Sequence, residues 1–330
     1  MIILIKSVMV MMLCLIFSIA FGIVLIPLLK QKKLNQRLSI YLEEKHKNKK
    51  DVPTMGGLIF IIPTIIVIFI LLIFNKIEFS MNFIIIIFTF ISYSLIGFID
   101  DYLIIKRNNN NGLKEGTKFF MQVIVAIVFF YLFMISNNEP LLWIHSLNIK
   151  LNIGWLYGIF ILFVLVASSN AVNLTDGLDG LAGGLSLIAL LTLGIITWNT
   201  TWLNGYEEIA ILCFCLVGSI LGFLVFNVNP AKIFMGDTGS LALGATMGAI
   251  AILTRHELLL ILIGIVFIIE TVSCIIQRLY YKLTHKRIFL MTPIHHSFEK
   301  KGYNEKDIVK VFWIIGIIAN MLALTFGVLL

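Results

Sequence analysis

Ten long apolar runs divide this chain of 330 residues, and they limit its fold more than any other feature. A helix needs about 20 mostly apolar residues to cross the hydrocarbon core of a bilayer. The runs lie at about 3–29, 55–74, 82–99, 118–135, 154–170, 181–198, 208–226, 239–253, 258–281 and 308–329. They predict an all-α polytopic membrane protein of about ten transmembrane helices, with residues 1–330 forming a single integral-membrane domain in contact with the lipid bilayer.

The composition excludes soluble and disordered classes of protein. Hydrophobic residues make up 59% of the chain and charged residues 13%, whereas soluble domains have about 45–50% and about 25%. The four cysteines lie in apolar stretches without paired spacing, so neither a disulfide framework nor a zinc site is expected. The first apolar run is too long for a signal-peptide core and lacks a small-residue cleavage site, which indicates a first span.

The distribution of Lys and Arg predicts the orientation in the membrane. The loops 30–53, 100–118, 171–180, 227–238 and 278–307 hold 20 of these residues, and the loops on the opposite side hold three. Cytoplasmic loops carry the excess of positive charge, so ten spans leave both termini outside. The net charge of +7 then indicates cytoplasmic loops and an anionic substrate, and no nucleic-acid partner. The longest outer loop, 136–153, is expected to form a short interfacial hairpin or helix.

Acidic and histidine residues gather in four segments on the predicted cytoplasmic side. Acidic side chains at the edge of a membrane are costly and usually functional. Each cluster also has a structural interpretation: a helix–loop cap for the first, packing for the second, a helix N-cap for Asp237, and a surface pair for the histidines. The segments are GFIDDY with Asp100 and Asp101, SSNAVNLTDGLDGLAGG with Asp176 and Asp179, NPAKIFMGDTGSL with Asp237, and MTPIHHSFE with His295 and His296.

The second segment combines a polar periodicity with glycines. Asn170, Asn173, Asp176 and Asp179 recur every three residues, and residues at that spacing share a helical face. The glycines at 177, 180, 183 and 184 favour a broken or tightly packed segment instead.

Taken together, the clusters indicate phosphoryl transfer at the cytoplasmic membrane surface. Five carboxylates at one face repel one another, and oxygen ligands of this kind suit Mg²⁺ or Mn²⁺. Mg²⁺ is typically held by one or two carboxylates plus substrate phosphates. Basic side chains available for phosphate oxygens are Lys49, Lys50, Lys118, His295 and His296.

Five motifs, in order along nearly the whole chain, resemble the phospho-N-acetylmuramoyl-pentapeptide-transferase family of bacterial peptidoglycan synthesis. They are PTMGG at 53–57, GFIDDY at 97–102, SSNAVNLTDGLDGLAGG at 168–184, NPAKIFMGDTGSL at 229–241 and MTPIHHSFE at 291–299. The resemblance implies a catalytic domain in the bacterial cell membrane with its active site at the cytoplasmic face. It implies a Mg²⁺-dependent transfer from UDP-N-acetylmuramoyl-pentapeptide to undecaprenyl phosphate, which yields the first lipid-linked intermediate and UMP.

The resemblance also implies roles for individual residues. Asp100 matches the proposed general base on the lipid phosphate, with Asp101 beside it, and Asp237 matches the magnesium ligand. Asp179 is expected to be one of the catalytic acids, and Asn173 is expected to bind substrate. The other matches are Asn170, Asp176, Asp179 and Asn227 near the nucleotide sugar and the metal, Phe234 stacking on uracil, Lys49 and Thr54 at the uridine end, Lys118 near the phosphates, and His295 with His296 as the loop histidines.

Two positions depart from the family pattern. Ser297 stands where a third histidine is usual, and Ile104 stands where a lysine is common. The loss at Ile104 leaves one fixed cation fewer for the phosphates, and Lys106 is the nearest replacement.

Three other functions compete with this interpretation. A related transferase moving N-acetylhexosamine-1-phosphate onto a polyprenyl phosphate would share the acidic clusters, but PTMGG and PIHHSFE fit the pentapeptide branch better. An ion-coupled transporter would place carboxylates near the bilayer midplane. A CDP-alcohol phosphotransferase would carry an Asp-Gly-Ala-Arg pattern, which the chain lacks. The oligomeric state stays open, a homodimer included.

Overall fold

The computed structural model describes residues 2–31, 52–107, 112–144 and 149–329, and they form a helical bundle with one small hairpin. The helices are α1 (Ile2–Gln31), α2 (Leu58–Ile73), α3 (Met81–Arg107), α4 (Glu115–Ile135), α5 (Leu156–Thr175), α6 (Leu181–Asn199), α7 (Tyr206–Asn227), α8 (Gly236–Leu253), α9 (Leu259–Ile263), α10 (Ile265–Thr284), α11 (Ile294–Lys300) and α12 (Glu305–Leu324). A π-helical turn, Thr325–Leu329, follows α12. The strands are β1 (Leu141–Ile144) and β2 (Ile149–Asn152).

Each of the ten predicted spans is helical, which confirms the predicted fold class. Within the described residues, eight helices are long and apolar enough to cross a membrane alone, and α2 is a shorter apolar helix of 16 residues. The predicted ninth span at 258–281 is not one helix, because the chain breaks at Gly264 into α9 and α10.

Several helices extend beyond the predicted spans, and this changes the setting of the polar residues. The predicted third span ends at residue 99, yet α3 continues to Arg107, so Asp100 and Asp101 lie within the helix. Similarly, α5 continues to Thr175 and carries Asn170 and Asn173. Polar residues can extend a helix past the apolar core because helical hydrogen bonding does not require an apolar side chain.

The centre of the bundle is formed by α7 and α8, which are almost entirely buried. Helix α8 packs against α3 and α5, and α7 packs against α1 and α6. Gly244 and Gly248, one turn apart on α8, contact Ser168 and Val164 of α5, where a Cβ would be crowded. Small residues at this spacing let membrane helices approach closely, and this holds α5 and α8 together near the polar clusters.

The predicted outer loop forms the hairpin β1–β2, with Leu141 opposite Asn152. Arg255, in the turn after α8, fixes the loop by donating to the carbonyl oxygens of Glu139 at 2.6 Å and Leu141 at 3.1 Å. It also donates to the Tyr157 hydroxyl at 3.0 Å, and that hydroxyl donates to Glu257. Burial raises the pKa of Glu257 to about 7, although Tyr157 and Arg255 oppose the shift.

Candidate active site

Asp101 joins α3 to the N-terminus of α8. Its carboxylate accepts hydrogen bonds from the backbone N–H groups of Asp237 at 3.1 Å and Thr238 at 3.0 Å, and from the Thr238 hydroxyl at 2.6 Å. The first N–H groups of a helix have no partner within it, and a carboxylate also interacts favourably with the positive end of the helix dipole. Asp101 therefore caps α8 from a neighbouring helix.

Two glycines make this junction possible. A Cβ at Gly97, one turn before Asp101, would overlap the backbone of Asp237, so α3 and α8 meet at closer than the usual distance. Gly236 opens α8 with φ of +74°, a conformation that L side chains rarely adopt. A Cβ at Gly236 would also lie 2.5 Å from Asp101 Oδ2.

The carboxylate of Asp237 is left free for other contacts. Asp237 is the second residue of α8, and the N-cap position is taken by Met235, so the interpretation of Asp237 as a simple N-cap is wrong. Instead it forms an ion pair with Lys118 of α4 and accepts a hydrogen bond from Asn173 Nδ2 at 2.7 Å. Asn173 also donates to Ser240 at 2.9 Å, which fixes the amide against α8.

Two more carboxylates surround Asp237. Asp100 is buried, accepts a hydrogen bond from the Leu113 N–H at 2.7 Å, and lies close enough to Asp237 for mutual repulsion. Asp176, directly after α5, is turned toward Asp237 and Asp101 and accepts from the Gly236 N–H. Burial, together with repulsion from Asp237 and Asp101, raises the pKa of Asp176 well above its usual value. The sequence clusters around residues 100, 176 and 237 thus form a single site.

This site has an excess of negative charge. We refer to Asp100, Asp101, Asp176 and Asp237 as the acidic cluster; Lys118 is the cation that interacts with three of its members. Lys106, the predicted replacement for a lysine at position 104, is exposed and pairs with no acidic side chain of the described residues. Within the part of the chain that the structure describes, no three His, Cys, Asp or Glu side chains converge to hold a metal by themselves.

The PTMGG segment and the loop before α8 form a wall beside the acidic cluster. The backbone N–H of Phe234 donates to Pro53 at 2.9 Å, and its carbonyl oxygen accepts from Gly56 at 2.8 Å. Phe234 is half-buried. Thr54 is fully buried, and its hydroxyl has no hydrogen-bond partner. Lys49 lies outside the described residues, so its contact with the uridine stays a prediction.

The two histidines of α11 each have a glutamate partner. His295 Nδ1 lies 3.1 Å from Glu270 Oε2, with both side chains fully buried in the bundle. His296 Nδ1 lies 2.7 Å from Glu299 Oε2. Burial lowers the pKa of His296, and the hydrogen bond to Glu299 opposes part of that shift. The Nε2 atom of His295 packs against Gly177, immediately after Asp176.

Sequence reasoning missed these glutamates, although signals for both exist. Glu270 is a carboxylate in an apolar run, the feature that marks functional positions in a membrane. Glu299 follows His296 by three residues within a short helix, a spacing at which side chains meet. Glu299 forms a hydrogen bond with the His296 ring, whereas Glu270 lies beside the His295 ring and accepts a hydrogen bond from the His295 backbone N–H at 3.4 Å.

Asp179 and Asn227 have positions that differ from those of the acidic cluster. Asp179 Oδ2 accepts from Asn229 Nδ2 and from the Ala231 N–H, both at 3.0 Å. Glu305, which sequence reasoning also missed, accepts from the Asp179 N–H at 2.8 Å. Asn227 accepts from the Gly180 N–H at 3.0 Å and donates to Ile233 at 2.9 Å. Both side chains therefore fix the loop that leads into α8, and their predicted contact with substrate stays a prediction.

The remaining polar positions fit around this arrangement. Asn170 donates to the Val166 carbonyl oxygen at 2.8 Å and to Gln122 Oε1 at 3.4 Å, so it links α5 to α4. Ser297, at the position of the missing third histidine, accepts from the Met291 N–H at 3.1 Å. This hydrogen bond closes the loop before α11, and it is made by a hydroxyl and not by an imidazole.

Comparisons with known proteins match nearly the whole chain. Residues 83–255, which include the whole acidic cluster, match the family model for glycosyl transferase family 4. A phospho-N-acetylmuramoyl-pentapeptide-transferase of Staphylococcus carnosus is 44% identical over 308 residues, covering 92% of this chain and 94% of the relative. The protein of that name from Staphylococcus aureus strain RF122 is 44% identical over 320 residues, 96% of this chain and 98% of the relative.

This chain belongs to the phospho-N-acetylmuramoyl-pentapeptide-transferase family. A third member, from Staphylococcus epidermidis strain RP62A, is 45% identical over 308 residues. The matches extend past α8 to the histidine helix α11, which the glycosyl transferase match does not include. They confirm the family predicted from the five motifs, and with it a multi-pass bacterial membrane transferase.

Proposed function

We propose that this chain transfers phospho-N-acetylmuramoyl-pentapeptide from its UDP-linked donor to undecaprenyl phosphate, in a Mg²⁺-dependent reaction at the cytoplasmic face of the bacterial cell membrane. The observation that carries the proposal is the convergence of the acidic cluster and Lys118 at one end of the bundle. Positive loops surround the same end, as expected for a cytoplasmic face.

The acidic cluster fits a magnesium site that substrate completes. Its donors are carboxylate oxygens, the ligands Mg²⁺ prefers, and Mg²⁺ commonly takes one or two of them with substrate phosphates. Asp237 would hold the ion, with Asp176 beside it. Among the described residues Lys118 is the lysine that contacts the cluster, and one positive charge leaves the charge of four carboxylates largely uncompensated. When bound, Mg²⁺ would stabilise negative charge on the phosphate oxygens of the donor.

The protein side chains would divide the remaining work. Asp100 accepts the proton of the lipid phosphate, whose oxygen then attacks the β-phosphorus of the donor. The bond from that phosphorus to the bridging oxygen breaks, and UMP leaves with the bridging oxygen. Lys118, beside Asp237, would bind phosphate oxygens of the donor. Asp101 holds α8 in place through its hydrogen bonds to Asp237 and Thr238.

The donor's nucleoside would lie against the wall formed by PTMGG and the loop before α8. Phe234 presents a half-buried aromatic ring there, and base–aromatic stacking is worth about 1–3 kcal/mol. The unpartnered hydroxyl of buried Thr54 favours a polar ligand, because a buried hydroxyl without a hydrogen bond is costly.

An apolar groove supports a polyprenyl acceptor. It has a volume of about 440 Å³ and lies between α5 and α10, with Phe163, Val172, Phe267 and Ile275 among its walls. Along α5 it extends from Phe160 to Val172, or roughly 18 Å at the helical rise. Val172 directly precedes Asn173, which contacts Asp237. A prenyl chain in this groove would bring its phosphate toward the acidic cluster.

A donor comparison with purified protein in nanodiscs tests the proposal. With undecaprenyl phosphate and Mg²⁺, UDP-N-acetylmuramoyl-pentapeptide should yield UMP and an equal amount of lipid-linked product by mass spectrometry. UDP-N-acetylglucosamine should yield neither. Turnover of the hexosamine donor alone would favour the related transferase instead. Cross-linking in the same nanodiscs would test the predicted homodimer.

A further inference from the structure

A basic pocket lies between the C-terminal half of α10 and the segment that leads into α11. It has a volume of about 410 Å³, and its walls include Gln277, Arg278, Arg287, Thr292 and Lys300. Among the described residues, no acidic side chain belongs to its lining. We refer to this cavity as the α10–α11 pocket.

The three cations of the α10–α11 pocket are available to a ligand. Within the described residues, Arg278 and Lys300 form no ion pair, and Arg287 makes only a long hydrogen bond of 3.4 Å to the Leu290 carbonyl oxygen. Arginine in this state favours carboxylate or phosphate, since its planar guanidinium can donate two parallel hydrogen bonds to either.

The wall that carries Arg287 is held in place by Gln277. The Gln277 Oε1 atom accepts from the N–H groups of Ile288 and Phe289, both at 3.0 Å. Its Nε2 atom donates to the Phe289 carbonyl oxygen at 3.3 Å. The loop is therefore tied to α10 by three hydrogen bonds from a single side chain, so the pocket exists before any ligand binds.

The pocket adjoins the histidine end of the active site. Lys300 follows His296 by four residues on α11, which is about 6 Å along the helix axis. An extended pentapeptide reaches up to about 17 Å. His295 lies against Gly177, next to Asp176, so a peptide on the transferred sugar would follow α11 from the acidic cluster, past the histidines, toward the three cations.

We propose that the α10–α11 pocket binds a carboxylate of the donor's pentapeptide. This inference rests on the proposed function, because it assumes that donor. An anionic phospholipid headgroup offers the same chemistry, but the peptide is favoured because the pocket shares α11 with the histidine pair and lies within the reach of a group attached to the transferred sugar.

Two donor substrates test whether the pocket recognises the negative charge of the peptide or another part of the donor. One is UDP-N-acetylmuramoyl-pentapeptide, and the other is the same molecule with its peptide carboxylates converted to amides. Arg287→Gln and Arg278→Gln should each raise KM for the first donor about tenfold, the scale of one charge-assisted hydrogen bond, with kcat unchanged. KM for the amidated donor should be the same in these variants as in wild-type protein.

Lys282→Gln and Lys286→Gln are the matched controls. They remove the same charge from exposed positions next to the pocket, outside its lining, and should leave KM unchanged for both donors. Equal KM changes with the two donors, or none with either, would overturn the inference while leaving the proposed function standing. Release of no UMP by wild-type protein from either donor would overturn both.

The lipid composition of the nanodiscs distinguishes a peptide carboxylate from an anionic phospholipid headgroup as the ligand of the pocket. The kinetics are repeated in nanodiscs of purely zwitterionic lipid and in nanodiscs with about one-third anionic phospholipid. The arginine defect should be the same in both. A defect that appears only with anionic lipid would assign the pocket to a headgroup and overturn the inference.

Discussion

Replacement of Lys118 by Gln should raise the apparent affinity for Mg²⁺ and lower the turnover. Lys118 forms an ion pair with Asp237 and also interacts with Asp100 and Asp101. In this state the ammonium occupies the position where a cation would be bound by the acidic cluster. Its removal should lower the Mg²⁺ concentration needed for half-maximal activity, because the ion no longer competes with a fixed positive charge.

The size of this effect follows from the exposure of the pair. Two unit charges about 4 Å apart interact by about 4 kcal/mol at an effective dielectric constant of about 20. The side chains of Lys118 and Asp237 are 17% and 22% exposed, so solvent screening reduces this to roughly 1–2 kcal/mol. The apparent affinity for Mg²⁺ should therefore rise about five- to thirtyfold.

Turnover should fall in the same variant. Loss of one fixed donor to developing charge costs about a hundredfold or more in kcat, and Lys118 is the lysine of the described residues that contacts the acidic cluster. The assay measures UMP release across a Mg²⁺ titration, with Lys118→Arg as the charge-conserving control and Lys114→Gln as an exposed neighbour. An unchanged Mg²⁺ requirement with reduced thermal stability would refute the reasoning and leave Lys118 a structural residue.

Three further predictions concern other parts of the molecule. Phe234→Ala should raise KM for the nucleotide donor about five- to hundredfold and leave KM for the lipid phosphate unchanged. Phe234→Trp should retain affinity for the donor. Lower stability of Phe234→Ala without weaker donor binding would show that Phe234 has only a packing role. Glu270→Gln should lower kcat about tenfold or more and shift the pH profile of kcat, because the group beside one nitrogen of the His295 imidazole influences the protonation of the other nitrogen. Glu270→Asp should restore part of the activity. An unaltered pH profile would contradict a positioning role for Glu270. Burial raises the pKa of Glu257 from 4.5 to about 7, so its stabilising contribution is complete below pH 4.5 and is lost as the pH rises through 7. The melting temperature of Glu257→Gln should therefore match that of wild-type protein at pH 4.5 and exceed it at pH 8.5. A difference in melting temperature that does not depend on pH would contradict this prediction.

The sequence was sufficient to predict which polar segments meet, because charge and hydropathy act over whole segments. Apolar runs and the Lys/Arg imbalance place the polar motifs of residues 100, 176 and 237 at one face, and the structure brings them together. The break at Gly264 escaped detection since the apolar run continues on both sides of it.

The contacts of individual carboxylates could not be predicted from sequence. Asp101 and Asp237 are both acidic residues of the polar motifs, yet Asp101 caps α8 and Asp237 faces Lys118. That difference depends on the close approach of α3 and α8 at Gly97, which is a property of three-dimensional packing. The pairing of Glu270 with His295 spans 25 residues and depends in the same way on how α10 and α11 meet.

If the acidic cluster is the metal-dependent reaction centre, Asp237→Asn should remove most of the turnover. The variant keeps the size of the side chain and its contact with Asn173 while it removes the charge. UMP release with both substrates at saturating Mg²⁺ should fall at least about a hundredfold. Asp307→Asn, an exposed acid on α12, should retain full activity. Wild-type turnover by Asp237→Asn, or UMP release by wild-type protein that survives complete chelation of divalent cations, would contradict the account.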